Sequence, residues 1–442
     1  MAKSLGGKLH TKILAGLLLG AALGILANTL LGGHHPFTEW VNHYVAGPLG
    51  QVFLRMLFMI VMPLVFASIA LGVAGLGDLR RVGRIGGKAV GYFLATTFLA
   101  AATGLFFVGV LRPGDAIDAP VKAELMATYA GDASAKLASA SGGGFGVHTF
   151  VNIVTRNPVK SAVEGDMLGI IFFGIVFGAA LTLIPAARAK PMLDLLQSLN
   201  DAVIAIVGMA MRLAPYGVTA LIFGVTSRFG FALLLPLGGY MLVVLGALLF
   251  HAVVNLSLVL RLLVGISPAL FFARVRSAVV TAFSTSSSSA TLPTALDAAE
   301  QGLGVPPKIA GFVLPLGSTM CMNGTSIFEG VTAIFLCQVF GIDLNLVQMT
   351  VIVVMSVITA IGAAGVPGGS IPLLAGIVAM FGVPAEGIAI ILGVDRLLDM
   401  SRTAVNVYGD ISATAFVARS EGLWNASMVQ DPRQAVPAPE RA

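Results

Sequence analysis

Charge is what this sequence has least of: 11% of its 442 residues are Asp, Glu, Lys or Arg, against about 25% in soluble domains. With 57% hydrophobic residues and 53 glycines besides, too little polar matter remains to cover a water-facing surface. A mean hydropathy of +0.94 says the same and excludes a soluble enzyme or a disordered chain. Cysteine is nearly absent, with only Cys321 and Cys337, which fall in one apolar segment. If that segment is helical they lie about 24 Å apart along its axis, far beyond disulfide reach, so a disulfide-built secreted scaffold is excluded. The excess of 26 Lys and Arg over 21 Asp and Glu does not indicate a nucleic-acid partner. In so apolar a chain it marks loops on one side of a membrane, and the expected solvent is the lipid bilayer.

Long uncharged runs are what the sequence does have. Residues 13–31 read as a retained first span rather than a cleaved signal, because no small-residue cleavage site follows. Runs at 56–77, 89–111 and 167–187 are each long enough to cross, and 202–227 and 229–260 follow. Lys3, Lys8 and Lys12, then Arg80, Arg81, Arg84 and Lys88, then Arg188 and Lys190, then Arg261, Arg274 and Arg276 fall on one side if each run crosses once. By the positive-inside rule that side is the cytoplasm, which puts the amino terminus inside and 113–166 outside as a Gly/Ser-bearing loop.

After residue 265 the apolar stretches are broken by Ser, Gly and Pro at membrane depth, which lipid does not tolerate unless protein or a watery cavity covers the break. Two similar units appear. Segment 265–300 carries its break at 284–293 and precedes a span at 308–342; segment 346–384 carries its break at 362–372 and precedes a span at 386–418. Paired broken segments predict a transporter with inverted repeats and a midplane site. The expected fold is an all-α membrane protein, with six spans in 1–264, the core of the working part in 265–419, and a cytoplasmic tail at 420–442.

The last span carries Asp395, Arg396, Asp399, Arg402 and Asp410. At about 100° per residue Asp395, Asp399, Arg402, Asn406 and Asp410 share one helix face. Charge inside a membrane span is costly and marks a functional site, here one for a zwitterion with an extra carboxylate: Asp399 for ammonium, Arg402 as a bidentate clamp. The serine run 284–289 offers hydroxyl and backbone N–H donors, and GAAGVPGGS at 362–370 offers a close-fitting lid. The break at Cys321, Met322, Asn323, Gly324 and Thr325 frees backbone carbonyls as cation ligands. Glu329 is open to two readings, a hydrogen-bonded structural acid or a proton carrier.

SSSSATLP, MNGTSIFEG, AAGVPGG and DRLLDMSRTAVNVYGD, in this order, resemble the glutamate transporter family, the dicarboxylate/amino acid:cation symporters. The likeness runs from about residue 56 to 421. It implies eight spans, two re-entrant hairpins and a homotrimer in which transport domains slide as elevators, spans 3 and 6 moving with the carboxyl-terminal part. It implies Asp399 as the holder of the cargo's amino group and Arg402 of its side-chain carboxylate. Met322, Thr325, Thr403 and Asn406 become further contacts, Ser287 and Ser288 the α-carboxylate cradle, and Ala364, Gly365 and Val366 the lid. Implied cation ligands are Gly317, Asn406 and Asp410 at one site and Thr319 with Ala360, Ile361 and Ala363 at another. Cys321, Asn323, Phe93, Thr96 and Thr97 fall at a third, where relatives carry Asn, Asp and Tyr in place of the first three. The family's internal arginine is missing from both its places, Ser286 and Met400, which leaves Asp399 without that neighbour. Proton-coupled relatives carry glutamate where this chain has Glu329.

The expectation is an inner-membrane symporter for L-aspartate and L-glutamate, both termini cytoplasmic. It carries out no covalent chemistry and needs no cofactor. Protons are the expected coupling ion, and sodium coupling, C4-dicarboxylate cargo and an ion channel are the alternatives.

Overall fold

The computed structural model describes residues 3–33, 35–82, 84–117, 154–164, 167–361, 363, 365, 367–424 and 429. Among them the regular elements are all helical. Five helical stretches are long and apolar enough to cross a membrane: Thr11–Leu31, Arg84–Ala116, Ala186–Phe229, Leu235–Val264 and Pro307–Val339. Shorter apolar helices lie at Met62–Leu71, Gly169–Leu183 and Leu346–Ile361. The chain is a multi-pass membrane protein by these lengths and compositions.

The amino-terminal half runs α1 (Lys3–Leu31), α2 (Pro36–Val41), α3 (Gly47–Phe58), α4 (Val61–Val82), α5 (Arg84–Leu111), α6 (Pro158–Glu164), α7 (Met167–Leu183), α8 (Ala186–Phe229) and α9 (Phe231–Phe250). Helix α1 lies along α8 through a glycine seam: a Cβ at Gly20 would stand 2.4 Å from the Thr219 carbonyl oxygen, and one at Gly24 1.9 Å from Thr226 Oγ1. Such small residues let two backbones approach where no water drives them together. Helices α3 and α4 also pack on α8, and α7 packs on α4.

The carboxyl-terminal half runs α10 (Pro268–Thr285), α11 (Ser288–Asp297), α12 (Pro307–Met320), α13 (Asn323–Val339), α14 (Leu346–Ile361), α15 (Ile371–Ala379) and α16 (Ala389–Ser420). Helices α10 and α11 form one hairpin and α14 and α15 the other. The first turns at Ser286, in the left-handed region at φ 51°, where Ser287 caps α11 by accepting from the Ala290 N–H at 3.1 Å. The second turns through Gly368 at φ +73°, a conformation that favours glycine. All of the apolar window in Pro307–Val339 is buried, so its interruption at Cys321 and Met322 is sheathed by protein.

Three expected boundaries move. The span at 202–227 is the second half of the 44-residue α8, which begins at Ala186, so Arg188 and Lys190 lie in its first turns instead of in a loop before it. The span at 56–77 is divided by a turn at Met59 and Ile60. The break at 284–293 narrows to Ser286 and Ser287, with Pro293 inside α11. The tail at 420–442 begins packed: Trp424 is 3% exposed and its Nε1 donates to the Leu303 carbonyl at 2.6 Å. Most of the expected outer loop, including its Gly/Ser patch at 141–146, lies outside the described residues.

Candidate functional site

The charged face of α16 meets the broken span and both hairpin tips. Asp395, Arg396, Asp399, Arg402 and Asp410 are each buried, none more than 6% exposed. Charges in such a place persist only when paired or used. Asp399 Oδ1 accepts from Arg402 Nε at 3.0 Å and lies 2.9 Å from Nη2. Its Oδ2 accepts from Arg396 Nη1 and from the Gly368 N–H, both at 3.1 Å. Arg402 Nη1 reaches Asp395 Oδ1 at 3.4 Å, and the guanidinium stands over the Phe328 ring, 4.1 Å from its centroid. Two acids and two arginines thus form one ladder whose formal charges cancel. Ser286 and Met400 supply no arginine to Asp399, as expected, but Arg396 does so from one helical turn before it.

Asp399 and Arg402 open onto a cavity also lined by Thr403 and Asn406, by Met322 and Thr325 of the broken span, by Ser286 and Ser288 of the first hairpin, and by Ala363, Gly365 and Ser370 of the second. Asn406 holds the break in shape. Its Oδ1 accepts from the Gly324 and Thr325 N–H groups at 2.7 and 3.3 Å, satisfying two free donors at the start of α13. Its Nδ2 donates to Thr325 Oγ1 at 3.1 Å. Thr403 Oγ1 donates back to the Asp399 carbonyl at 2.8 Å. Ser287 Oγ donates to the Gly365 carbonyl at 2.6 Å, and the Ser289 N–H reaches the same oxygen at 3.2 Å, so the hairpin tips are bonded to each other over the cavity. Ala364 and Val366 lie outside the described residues.

The implied cation residues separate into three cases. Asp410 Oδ1 is buried with no hydrogen-bond partner among the described residues, and a Cβ at Gly317 would come 2.9 Å from it, so this carboxylate beside Gly317 fits a small hard cation. Around Asn323, Thr97 Oγ1 donates to Asn323 Oδ1 at 2.9 Å and the Cys321 thiol to the same oxygen at 3.8 Å, Thr96 Oγ1 donates to the Tyr92 carbonyl at 2.9 Å, and the buried Asn323 Nδ2 has no hydrogen-bond partner among the described residues. That set, with a thiol among its ligands, does not fit sodium. Thr319 is exposed and donates to Leu316 of its own helix at 2.9 Å. Ala360 is buried and Ile361 half-buried at the end of α14, while Ala363 lines the cavity.

Glu329 is fully buried on α13, and its Oε2 accepts from Thr359 Oγ1 of the second hairpin at 2.6 Å. Its Oε1 has no hydrogen-bond partner among the described residues. Both alternatives for Glu329 required a buried acid; the bond to Thr359 of the second hairpin is new. The sequence does not show that Phe328 lies under Arg402 or that Arg396 pairs with Asp399, while Ser286, Gly368 and Ser370 fall inside the serine run and the glycine-rich segment it singles out. Spacing three residues before Asp399 was the available signal for Arg396.

The sequence profile of the sodium:dicarboxylate symporter family matches residues 9–420. The proton/glutamate-aspartate symporter of Escherichia coli (strain K12) is 36% identical over 405 residues, covering 92% of each chain. The proton/sodium-glutamate symport protein of Bacillus subtilis (strain 168) is 34% identical over 424 residues, covering 96% of this chain and 95% of its own. The C4-dicarboxylate transport protein of the same organism is 34% identical over 375 residues, covering 85% and 87%.

Proposed function

Because the chain belongs to the sodium:dicarboxylate symporter family, we propose that it is a secondary active symporter for L-aspartate and L-glutamate, coupled to protons. The observation that carries this reading is the buried Asp399–Arg402 pair on the cavity wall. A cargo bearing an ammonium and a side-chain carboxylate replaces that pair charge for charge: ammonium takes Asp399, and the carboxylate takes Arg402 in the same bidentate geometry. Neutral amino acids take Asp399 from Arg402 and put no carboxylate in its place, leaving the guanidinium only its 3.4 Å contact with Asp395, which is costly in a desolvated site. The remaining carboxylate is met by donors at the first hairpin tip and by Asn406.

Proton coupling is supported by Glu329, which has no ion-pair partner among the described residues and is bonded to the lid arm. A proton on this carboxyl removes its charge for the crossing and links its state to hairpin closure. Sodium coupling is the second reading, favoured by the unpartnered Asp410 oxygen beside Gly317. In the reading adopted here, the hairpins and α16 move as an elevator body against a scaffold built on α1 and α8. The protein is a homotrimer of the cell's inner membrane with both termini cytoplasmic.

Uptake of labelled L-aspartate into proteoliposomes tests the assignment. The expected result is accumulation above the outside concentration, competed by L-glutamate and not by L-serine. Equal competition by serine, or equilibration without accumulation as in a channel, overturns it.

A further inference from the structure

Asp399 is held from two sides. Arg402 approaches from the cavity wall, whereas Arg396 does not line the cavity and reaches Oδ2 from behind, with 5% of its surface exposed. When a cargo carboxylate draws Arg402 away, Oδ1 is released, and Arg396 and the Gly368 N–H are left on Oδ2. What then happens to the Asp399 charge depends on the cargo. An amino acid brings an ammonium to Oδ1. A dicarboxylate without an amine brings none, and its second negative charge must share the cavity with the Asp399 carboxylate. In so desolvated a site that repulsion is costly unless a fixed cation offsets it.

We propose that Arg396 is a positioning residue that sets cargo specificity: by neutralising Asp399 from outside the cavity, it makes the site tolerant of acidic cargo that lacks an amino group. The inference rests on the acidic-cargo reading above. Arg396 does not line the cavity, so its effect on the cargo is exerted through Asp399. Its removal therefore penalises a dianion such as succinate far more than aspartate, whose own ammonium takes over the neutralising role. A merely structural arginine would weaken both cargoes alike.

The test is uptake of labelled L-aspartate into proteoliposomes, competed by succinate, for the unaltered protein, Arg396→Gln and Arg396→Lys. The expected result for Arg396→Gln is a succinate inhibition constant raised by about tenfold or more, with the aspartate KM changed by less than about threefold. Arg396→Lys keeps the charge and is expected to keep the succinate-to-aspartate ratio within about threefold of the original. Parallel losses for both cargoes in Arg396→Gln overturn the proposal. So does a folded, active Arg396→Lys that loses succinate alone, which keeps the idea falsifiable if the Gln variant does not fold. Succinate that fails to compete in the unaltered protein at a thousandfold excess overturns it too. Failure of the unaltered protein to accumulate aspartate is a different result, since it removes the function reading before any variant is made.

Discussion

The Ser287 hydroxyl donates to the Gly365 carbonyl at 2.6 Å, joining the tips of two hairpins that lie 78 residues apart in the chain. The contact is close enough to leave no room for a side chain: a Cβ on Gly365 would come 2.8 Å from Ser289 Oγ and 3.0 Å from the Ser318 carbonyl oxygen. Gly365→Trp is therefore expected to hold the hairpins apart and lower aspartate uptake by about tenfold or more, with normal membrane abundance. Uptake assays beside quantitative blotting check this; unchanged uptake at normal abundance contradicts a lid at this position.

Arg402 and Asp399 face each other at 2.9 Å and are expected to divide the cargo between them. Removing one partner of a buried charged pair costs about 2–5 kcal/mol. Arg402→Ala is expected to abolish aspartate uptake and admit neutral amino acids. Asp399→Ala is expected to shift preference toward cargo without an amine. Competition assays with serine and succinate measure both shifts.

Much of this site was legible because a helix repeats its faces. The stripe from Asp395 to Asp410 follows from spacing alone, and all its members are buried. The pairing of Arg396 was not legible because one residue of rotation, about 100°, takes it off that stripe; only its long side chain, reaching forward to Asp399, joins it to the cluster. The breaks at Ser286, Cys321 and Gly368 were readable as runs of small polar residues where lipid forbids open backbone. Which groups close those breaks was not readable. Asn406 capping α13 and Thr359 bonding Glu329 are contacts across 82 and 30 residues, set by packing that no local pattern encodes.

A charged clasp follows the last helix. Glu421 takes Arg84 Nη2 and Lys88 Nζ, each at 2.6 Å, while Lys88 also bonds the Ser420 carbonyl at 2.8 Å. The hydrogen bonds from Arg84 and then Lys88 hold the Glu421 carboxyl at about 2, below the usual carboxylate range. Its stabilising effect is present above the unfolded value of about 4.3 and is lost as pH falls from there toward 2. Glu421→Gln is expected to lower the Tm of detergent-solubilised protein at pH 7, with the difference shrinking at pH 3. A difference that grows on acidification contradicts the clasp.

The glycine seam of α1 carries a packing prediction. With the Thr219 carbonyl oxygen 2.4 Å from where a Cβ would sit, Gly20→Leu forces α1 away from α8. Overpacking of this kind costs about 1–3 kcal/mol. A lower Tm is expected, with the aspartate KM retained in the fraction that folds, since α1 does not line the cavity. A lost KM with an unchanged Tm contradicts the separation of seam and site.

The account depends most on Glu329, buried against the tip end of α14 with one oxygen bonded to Thr359 and the other without a hydrogen-bond partner among the described residues. Proteoliposomes given an inward proton gradient or an inward sodium gradient, each without the other, test it most directly. The account predicts accumulation of L-aspartate on the proton gradient alone, with Glu329→Gln removing that response while sparing exchange of internal for external aspartate. Accumulation on the sodium gradient alone, with no response to protons, contradicts it.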